Sequence, residues 1–69
     1  MELCRRFGIN VALARREVGL SQEALADAAK VARSYLSDIE RGARNPTLRV
    51  VERIAATLEV KPSRLLDDA

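Results

Sequence analysis

Residues 21 to 42, with the sequence SQEALADAAKVARSYLSDIERG, constrain the fold of this chain more than any other stretch. Apolar residues recur there every three or four positions on both sides of Lys30 and Val31, which is typical of two short helices joined by a very tight turn. Leu36 and Ile39 are spaced to hold the second helix against a core. The opposite side of that helix carries polar residues at Arg33, Ser34, Ser37 and Asp38. The pattern therefore predicts a polar helix face that is exposed for a function rather than for packing.

The segment before this stretch also has helical periodicity, and no part of the chain shows the alternation that predicts a strand. A first helix is predicted from about Leu3 to Val18. Its apolar stripe consists of Leu3, Phe7, Val11 and Ala14. Gly19 ends this helix, and Ser21 caps a second helix that runs to about Ala29.

Three further helices are predicted after the turn at residues 30–31. The third starts near Ala32 or Arg33 and stops at Gly42. Thr47 caps the fourth, and Pro62 suits the first position of a short fifth helix. The inner face of the fourth helix is expected to contain Leu48, Val51, Ile54, Ala55 and Leu58. The fifth helix ends in Leu65 and Leu66. We expect an all-α fold of five short helices in one domain, residues 1–69, with the helix-turn-helix core at 22–41.

The composition argues against several classes of function. A chain of 69 residues buries only about 60% of its unfolded surface, which leaves little room for an enclosed catalytic or small-molecule pocket. There is no histidine, and Cys4 is the one cysteine, so the usual general base, metal ligands and nucleophilic pairs are missing. No signal peptide or membrane-spanning run is visible. We expect a cytoplasmic protein that is not an enzyme and needs no metal, cofactor, small-molecule ligand or membrane.

The distribution of charge favours a polyanionic partner. The basic residues are ten Arg and two Lys, and Arg is the side chain suited to bidentate contacts with phosphate and guanine. Between residues 30 and 53 there are six basic and three acidic side chains. A helix with an exposed polar face fits the major groove of B-DNA, which is about 12 Å wide.

The segments FGINVALARREVGLSQEALA, VARSYLSDIERGARNPTL and IAATLEVKPSRLL resemble the Xre-type helix-turn-helix family over residues 7 to 66. Lambdoid phage repressors, Cro proteins and the controller proteins of restriction-modification systems belong to that family, and RSYLSDIERGARN is most similar to the controller proteins. The resemblance implies a lambda-repressor-like, five-helix domain that binds specific double-stranded DNA as a homodimer on a near-palindromic operator.

The resemblance also implies roles for individual residues. The positions expected to contact bases are Ala32, Arg33, Ser34, Ser37 and Asp38. The positions expected to contact phosphates are Gln22, Tyr35, Arg41, Arg44 and Asn45. An arginine near a helix N-terminus can donate two hydrogen bonds to guanine O6 and N7, worth about 1–3 kcal/mol of discrimination.

Three residues depart from the family pattern. Lys30 stands where Gly is usual, in a turn that favours a left-handed conformation, at a cost of about 1–2 kcal/mol. Ala32 replaces the usual Ser or Thr, so a cap or phosphate contact is lost. Asp38 can accept a hydrogen bond from a cytosine amino group or orient Arg41, and the second role is favoured.

Other apolar and charged residues suggest contacts within and between subunits. Within the family, the glutamate at Glu40 pairs with an arginine of the first helix, here Arg15. Ile9 and Leu13 either complete a small core or meet a partner. The residues expected at a two-fold dimer contact are Val60, Leu65 and Leu66.

The leading hypothesis is therefore a homodimeric transcriptional regulator. RNA polymerase is a further candidate partner, through Glu23 and Asp27 on the second helix. The alternative is a protein-interaction module such as an antitoxin or adaptor domain, which needs an apolar patch instead of Arg33 and Arg44.

Overall fold

A computed structural model describes residues 2–68, so Met1 and Ala69 of the predicted domain lie outside the described residues. Its elements are α1 (Glu2–Glu17), α2 (Gln22–Ala29), α3 (Arg33–Glu40), α4 (Leu48–Leu58) and a 3-10 helix (Pro62–Leu66). No strand occurs among the described residues, and the predicted all-α class is confirmed. The fifth element differs from the prediction in being a 3-10 helix.

The core is formed by residues of all four α-helices and by Leu65 of the 3-10 helix, with α2 packed on α3 and α4. Phe7 and Val11 carry the inner face of α1 as predicted, but Leu3 was wrongly assigned to it and is about half exposed. Leu3 lies in the first turn of α1, beyond the end of the core.

Gly8 is buried where α1 crosses α3, a role that the sequence analysis did not identify. A Cβ atom added to Gly8 would lie 2.2 Å from the backbone oxygen of Ile39 and 2.8 Å from that of Glu40. The absence of a side chain at this position therefore sets how closely α1 can approach the end of α3.

The predicted caps of α2 are present at both ends. Ser21 Oγ accepts a hydrogen bond from the Ala24 backbone N–H at 3.0 Å. Lys30 has φ 61° and ψ 44°, and its N–H donates to the carbonyls of Ala26 and Asp27. The left-handed turn expected at Lys30 is thus confirmed, although the residue is not glycine.

Thr47 caps α4 as predicted, because its Oγ1 accepts a hydrogen bond from the Val50 N–H at 3.2 Å. The prediction that Leu48 faces the core is wrong, since 81% of this residue is exposed. Leu48 is the first residue of α4 and projects past the core, while Val50, one turn before Ile54, is buried in its place.

The 3-10 helix closes the core and is fastened to α1. Leu65 is 1% exposed and its neighbour Leu66 is 37% exposed. Asn10 Nδ2 donates to the carbonyl oxygen of Leu65 at 2.9 Å and to that of Asp67 at 2.7 Å. Leu65 was predicted to lie at a dimer contact, and this prediction is wrong because the residue fills the core of its own subunit.

We predict that Gly8→Ala lowers the free energy of unfolding by about 1–3 kcal/mol, because the added methyl group must push the α3 backbone away. At an exposed helix position, the same change raises stability by about 1 kcal/mol through helix propensity. Urea denaturation of the two proteins measures the difference. An increase in stability would show that α1 and α3 do not cross closely at Gly8.

Candidate nucleic-acid interface

Helix α3 buries one side and exposes the other, as the sequence predicted. Leu36 and Ile39 are fully buried in the core. Arg33 and Ser34 are exposed, whereas Ser37 and Asp38 are half-buried toward the C-terminal end of the helix. The structure thus brings these predicted base-contacting side chains together on the outer side of one eight-residue helix.

The N-terminus of α3 is open to solvent and lacks a side-chain cap. Ala32 occupies the N-cap position, is exposed and makes no capping hydrogen bond, as expected from its missing hydroxyl group. The first N–H groups of a helix have no partner within the helix and attract anions. The start of α3 can therefore accept a phosphate through its backbone next to Arg33.

The C-terminal end of α3 is fixed by a buried network around Glu40. The Glu40 carboxylate accepts hydrogen bonds from Arg15 Nε at 2.8 Å, Arg15 Nη2 at 3.1 Å and Gln22 Nε2 at 2.9 Å. The Arg15 and Glu40 side chains are 11% and 7% exposed. Arg15 Nη1 also donates to the carbonyl oxygen of Leu20 at 2.9 Å. The predicted pair between Glu40 and Arg15 is confirmed, and it links α3 to both α1 and α2.

This network changes the pKa values of both partners. Burial raises the pKa of the Glu40 carboxyl, but hydrogen bonds from Arg15 and Gln22, together with the charges of Arg15 and Arg16, lower it, so that the net pKa lies below its ordinary value. The hydrogen bond to Glu40 raises the pKa of Arg15 above its ordinary value against the opposing effect of burial. Both groups are therefore charged at neutral pH.

Gln22 lies at the start of α2 but is already engaged with Glu40. The sequence predicted a phosphate contact for Gln22 but not this contact with Glu40. An amide nitrogen carries two N–H groups, so the contact with Glu40 leaves one donor for another acceptor. Gln22 thus connects the Glu40 network, which holds the end of α3, to the proposed phosphate-binding surface.

The loop after α3 places two arginines around Asp38. The Asp38 carboxylate pairs with Arg41, and its Oδ2 atom lies 3.6 Å from Arg44 Nη2. The guanidinium carbon of Arg44 also lies 4.8 Å from the centre of the Tyr35 ring, which is a cation–π distance. Of the two roles considered for Asp38, the structure shows the contact with Arg41. The contacts of Arg44 were missed, because residues separated by a loop have no fixed spacing in a helical pattern.

Asn45 lies further along the same loop and faces α1. Asn45 is exposed, and its side-chain Oδ1 accepts a hydrogen bond from Cys4 Sγ at 3.7 Å. The loop is also held close to α1 at Gly42, where an added Cβ would lie 3.0 Å from Arg5 Cα. Gly42 has φ 75°, so its lack of a side chain serves both the turn and this close approach.

The predicted dimer residues do not lie together. Leu65 is in the core, Val60 is half-buried against it, and Leu66 is at the surface. Leu66 instead joins Leu3 and Leu48 around a groove of about 170 Å³. The other lining residues of this groove are Cys4, Phe7, Asn45, Pro46 and Val51.

Ile9 and Leu13 are both nearly half exposed, so the alternative in which they complete a small core is wrong, and their contact with a partner stays a prediction. Within residues 2–68, no cluster of acidic, cysteine or histidine side chains is placed to hold a metal ion. None of the helices in that range combines the length and the apolar character needed to cross a membrane.

Comparisons with known proteins agree with this geometry. The family model described as "Helix-turn-helix" matches residues 11–65. The regulator SinR of Bacillus subtilis is 46% identical over 55 residues, and control protein C.BamHI of Bacillus amyloliquefaciens is 50% identical over 48 residues. These alignments cover 78% and 70% of this chain, but 50% of SinR and 59% of C.BamHI. The chain thus spans 50% to 59% of the length of these two relatives.

Solved structures show the same fold. The restriction-modification controller protein C.AhdI from Aeromonas hydrophila superposes with a TM-score of 0.90 at 35% identity, covering 94% of this chain and 98% of C.AhdI. A crystal structure of SinR in complex with DNA gives a TM-score of 0.84 at 42% identity, covering 88% of this chain and 98% of that one.

We predict that Glu40→Gln lowers the free energy of unfolding at pH 7 by about 3–5 kcal/mol, because a buried Arg15 charge loses its partner. The folded pKa of Glu40 is depressed, so its stabilisation is present above the unfolded pKa of about 4.3 and is lost as the pH falls through the folded pKa. The stability of the variant should therefore depend less on pH in this acidic range.

Urea denaturation at neutral and acidic pH measures both effects. Glu52→Gln, an exposed position on α4, is the matched control and should change the stability little. If Glu40→Gln and Glu52→Gln were equally stable at pH 7, the network would not anchor α3.

Proposed function

Because this chain belongs to the helix-turn-helix family of DNA-binding transcriptional regulators, we propose that it recognises a specific duplex operator through α3 and binds it as a homodimer. The observation that carries the proposal is the orientation of α3. One side is locked into the core by Leu36 and Ile39, and the outer side presents Arg33 and Ser34 to solvent. An exposed helix of this kind can enter the major groove.

In this proposal, Arg33 provides the principal base contact. It is exposed at the first position of α3, next to the uncapped helix N-terminus. There its guanidinium can donate two hydrogen bonds to the O6 and N7 atoms of one guanine. Ser34 and Ser37, one and four residues further along, add hydroxyl groups that can donate to or accept from base edges.

The phosphate contacts come from both sides of α3. Gln22 and the backbone at Ala32 serve one strand near the helix N-terminus. Arg41, Arg44 and Asn45 lie in the loop at the other end. Because these contacts fix the register of the protein on the duplex without reading its sequence, they determine where Arg33 meets the bases.

We further propose that a second copy of the chain covers the groove formed by Leu3, Leu48 and Leu66. Leu48 is the most exposed of the large apolar residues in the described range. Asn45 and Pro46, from the proposed phosphate-binding loop, line the same groove. A dimer formed through this surface therefore has the loops of both copies close to its two-fold axis. Two recognition helices about 34 Å apart then match half-sites separated by one DNA turn.

The similarity to C.BamHI and C.AhdI supports a finer proposal, that this chain acts as a restriction-modification controller protein. Regulation would then depend on the concentration of the chain and on its dimerisation. Glu23 and Asp27 are both exposed on α2 and provide an acidic surface for RNA polymerase at a neighbouring promoter site.

One observation favours a second function that is compatible with the first. Ile9 and Leu13 form an exposed apolar pair on α1, as expected of a protein-interaction module such as an adaptor or antitoxin. A chain that served only as an adaptor would bind random duplex DNA weakly and with little dependence on salt. A regulator shows a steep decrease in affinity as the salt concentration rises.

We predict that Arg33→Ala weakens binding to the specific operator by about 1–3 kcal/mol and leaves non-specific binding nearly unchanged. Arg64→Ala is the matched control, because it removes the same charge from an exposed position on the 3-10 helix, which packs on α1 and α4. Fluorescence anisotropy with a duplex selected from a random pool measures both affinities. An equal loss on specific and random duplex would assign Arg33 to a phosphate instead.

We predict that Leu48→Glu and Leu66→Glu weaken dimerisation without unfolding the domain, since both side chains are at the surface. Ile9→Glu places the same charge on the other exposed apolar surface and should leave the dimer intact. Sedimentation equilibrium distinguishes the two surfaces. If Ile9→Glu dissociated the dimer and the two leucine variants did not, the dimer contact would lie at the surface of Ile9 and Leu13.

A further inference from the structure

Asp38 lies on the polar face of α3, but its carboxylate is occupied by the loop that follows the helix. It pairs with Arg41 and lies 3.6 Å from Arg44, and the Asp38 side chain is only 30% exposed. The Arg41 and Arg44 side chains are 66% and 51% exposed, so both remain accessible to an external anion. One carboxylate thus contacts two of the guanidinium groups that we propose for phosphate binding.

A carboxylate and a phosphate oxygen use the same donors on a guanidinium group. Asp38 and a DNA phosphate therefore compete for Arg41 and Arg44. The three side chains together carry a single positive charge, whereas the two arginines without Asp38 would carry two. Arg44 also lies at a cation–π distance from the Tyr35 ring, and this contact keeps the arginine near Asp38 when no DNA is bound.

We infer that Asp38 is a specificity-determining residue that restrains sequence-independent DNA binding by acting as an internal substitute for phosphate. This inference rests on the proposed contact between the loop and DNA. On random duplex, Arg41 and Arg44 remain paired with Asp38, so the three side chains present one net positive charge to the phosphates. On the operator, base contacts by α3 hold the backbone beside the loop, so phosphates can displace the carboxylate.

The salt dependence of binding distinguishes this role from a structural one. Each additional phosphate that a protein neutralises steepens the slope of log affinity against log salt concentration by about 0.9. Removing the Asp38 charge should therefore steepen the slope on random duplex by about 0.9. Relative to a 1 M reference, this change in slope corresponds at 0.1 M salt to a rise in non-specific affinity of about eightfold.

Asp38→Asn is the appropriate variant, because it removes the charge and preserves the shape of the side chain. The backbone carbonyl of Asp38 still accepts the hydrogen bond from the Ala43 N–H, which has a length of 2.9 Å. Glu52→Gln is the matched control, since it makes the same change in net charge at an exposed position on α4. Thermal unfolding of both variants checks that the fold is retained.

The experiment measures the affinity of the full chain for a random duplex and for a duplex selected from a random pool, at several salt concentrations. For Asp38→Asn we expect the steeper slope and the higher affinity on random duplex, and at least a threefold decrease in the ratio of specific to non-specific affinity. For Glu52→Gln we expect less than a twofold change in either affinity.

Two results would overturn the inference while leaving the proposed function intact. If Asp38→Asn and Glu52→Gln behaved alike, Asp38 would not compete with phosphate. If Asp38→Asn lost operator affinity and kept wild-type affinity and slope on random duplex, Asp38 would contact a base. A wild-type chain that bound no duplex at any salt concentration would overturn the proposed function, and this inference with it.

Discussion

The attachment of α3 to α1 is the constraint on which the proposed interface depends. Gly8 allows the two helices to cross in close contact, and Arg15 then reaches Glu40 at the end of α3. An isolated helix of eight residues is not stable in water, so α3 exists because the rest of the domain holds it. Its apolar residues determine which side faces inward, and the Arg15–Glu40 pair determines the angle at which the helix projects.

A buried ion pair of this kind is better explained by geometry than by stability. Two apolar residues of similar volume often stabilise a core as well as such a pair does, because desolvation of the charges offsets their attraction. Apolar packing, however, does not require one orientation of the partners. Hydrogen bonds from Arg15 and Gln22 to Glu40 join α1, α2 and α3 at one carboxylate. The proposed base-contacting and phosphate-binding surfaces are thereby held in fixed relation to each other.

The sequence predicted the elements that depend on local patterns and failed where packing at the ends of helices decides the outcome. The cap at Ser21 and the left-handed turn at Lys30 follow from residue type and neighbours, and both are present. Leu48 was predicted in the core but is exposed, and Leu65 was predicted at a dimer contact but is buried. Apolar periodicity identifies which side of a helix faces inward, but not where along the helix the core ends. Gly8 carried no signal, since a close crossing involves residues more than thirty positions apart. The assigned base and phosphate contacts remain predictions.

Mapping of the DNA contact by NMR tests whether α3 and the loop after it meet the duplex. The ¹⁵N-labelled chain is titrated with a duplex selected from a random pool, and the amide shift changes are assigned by residue. We predict that the largest changes lie at residues 32–38 and 41–45, with little change at Ile9 and Leu13 on α1. Changes concentrated around Ile9 and Leu13, with α3 unaffected, would contradict this prediction.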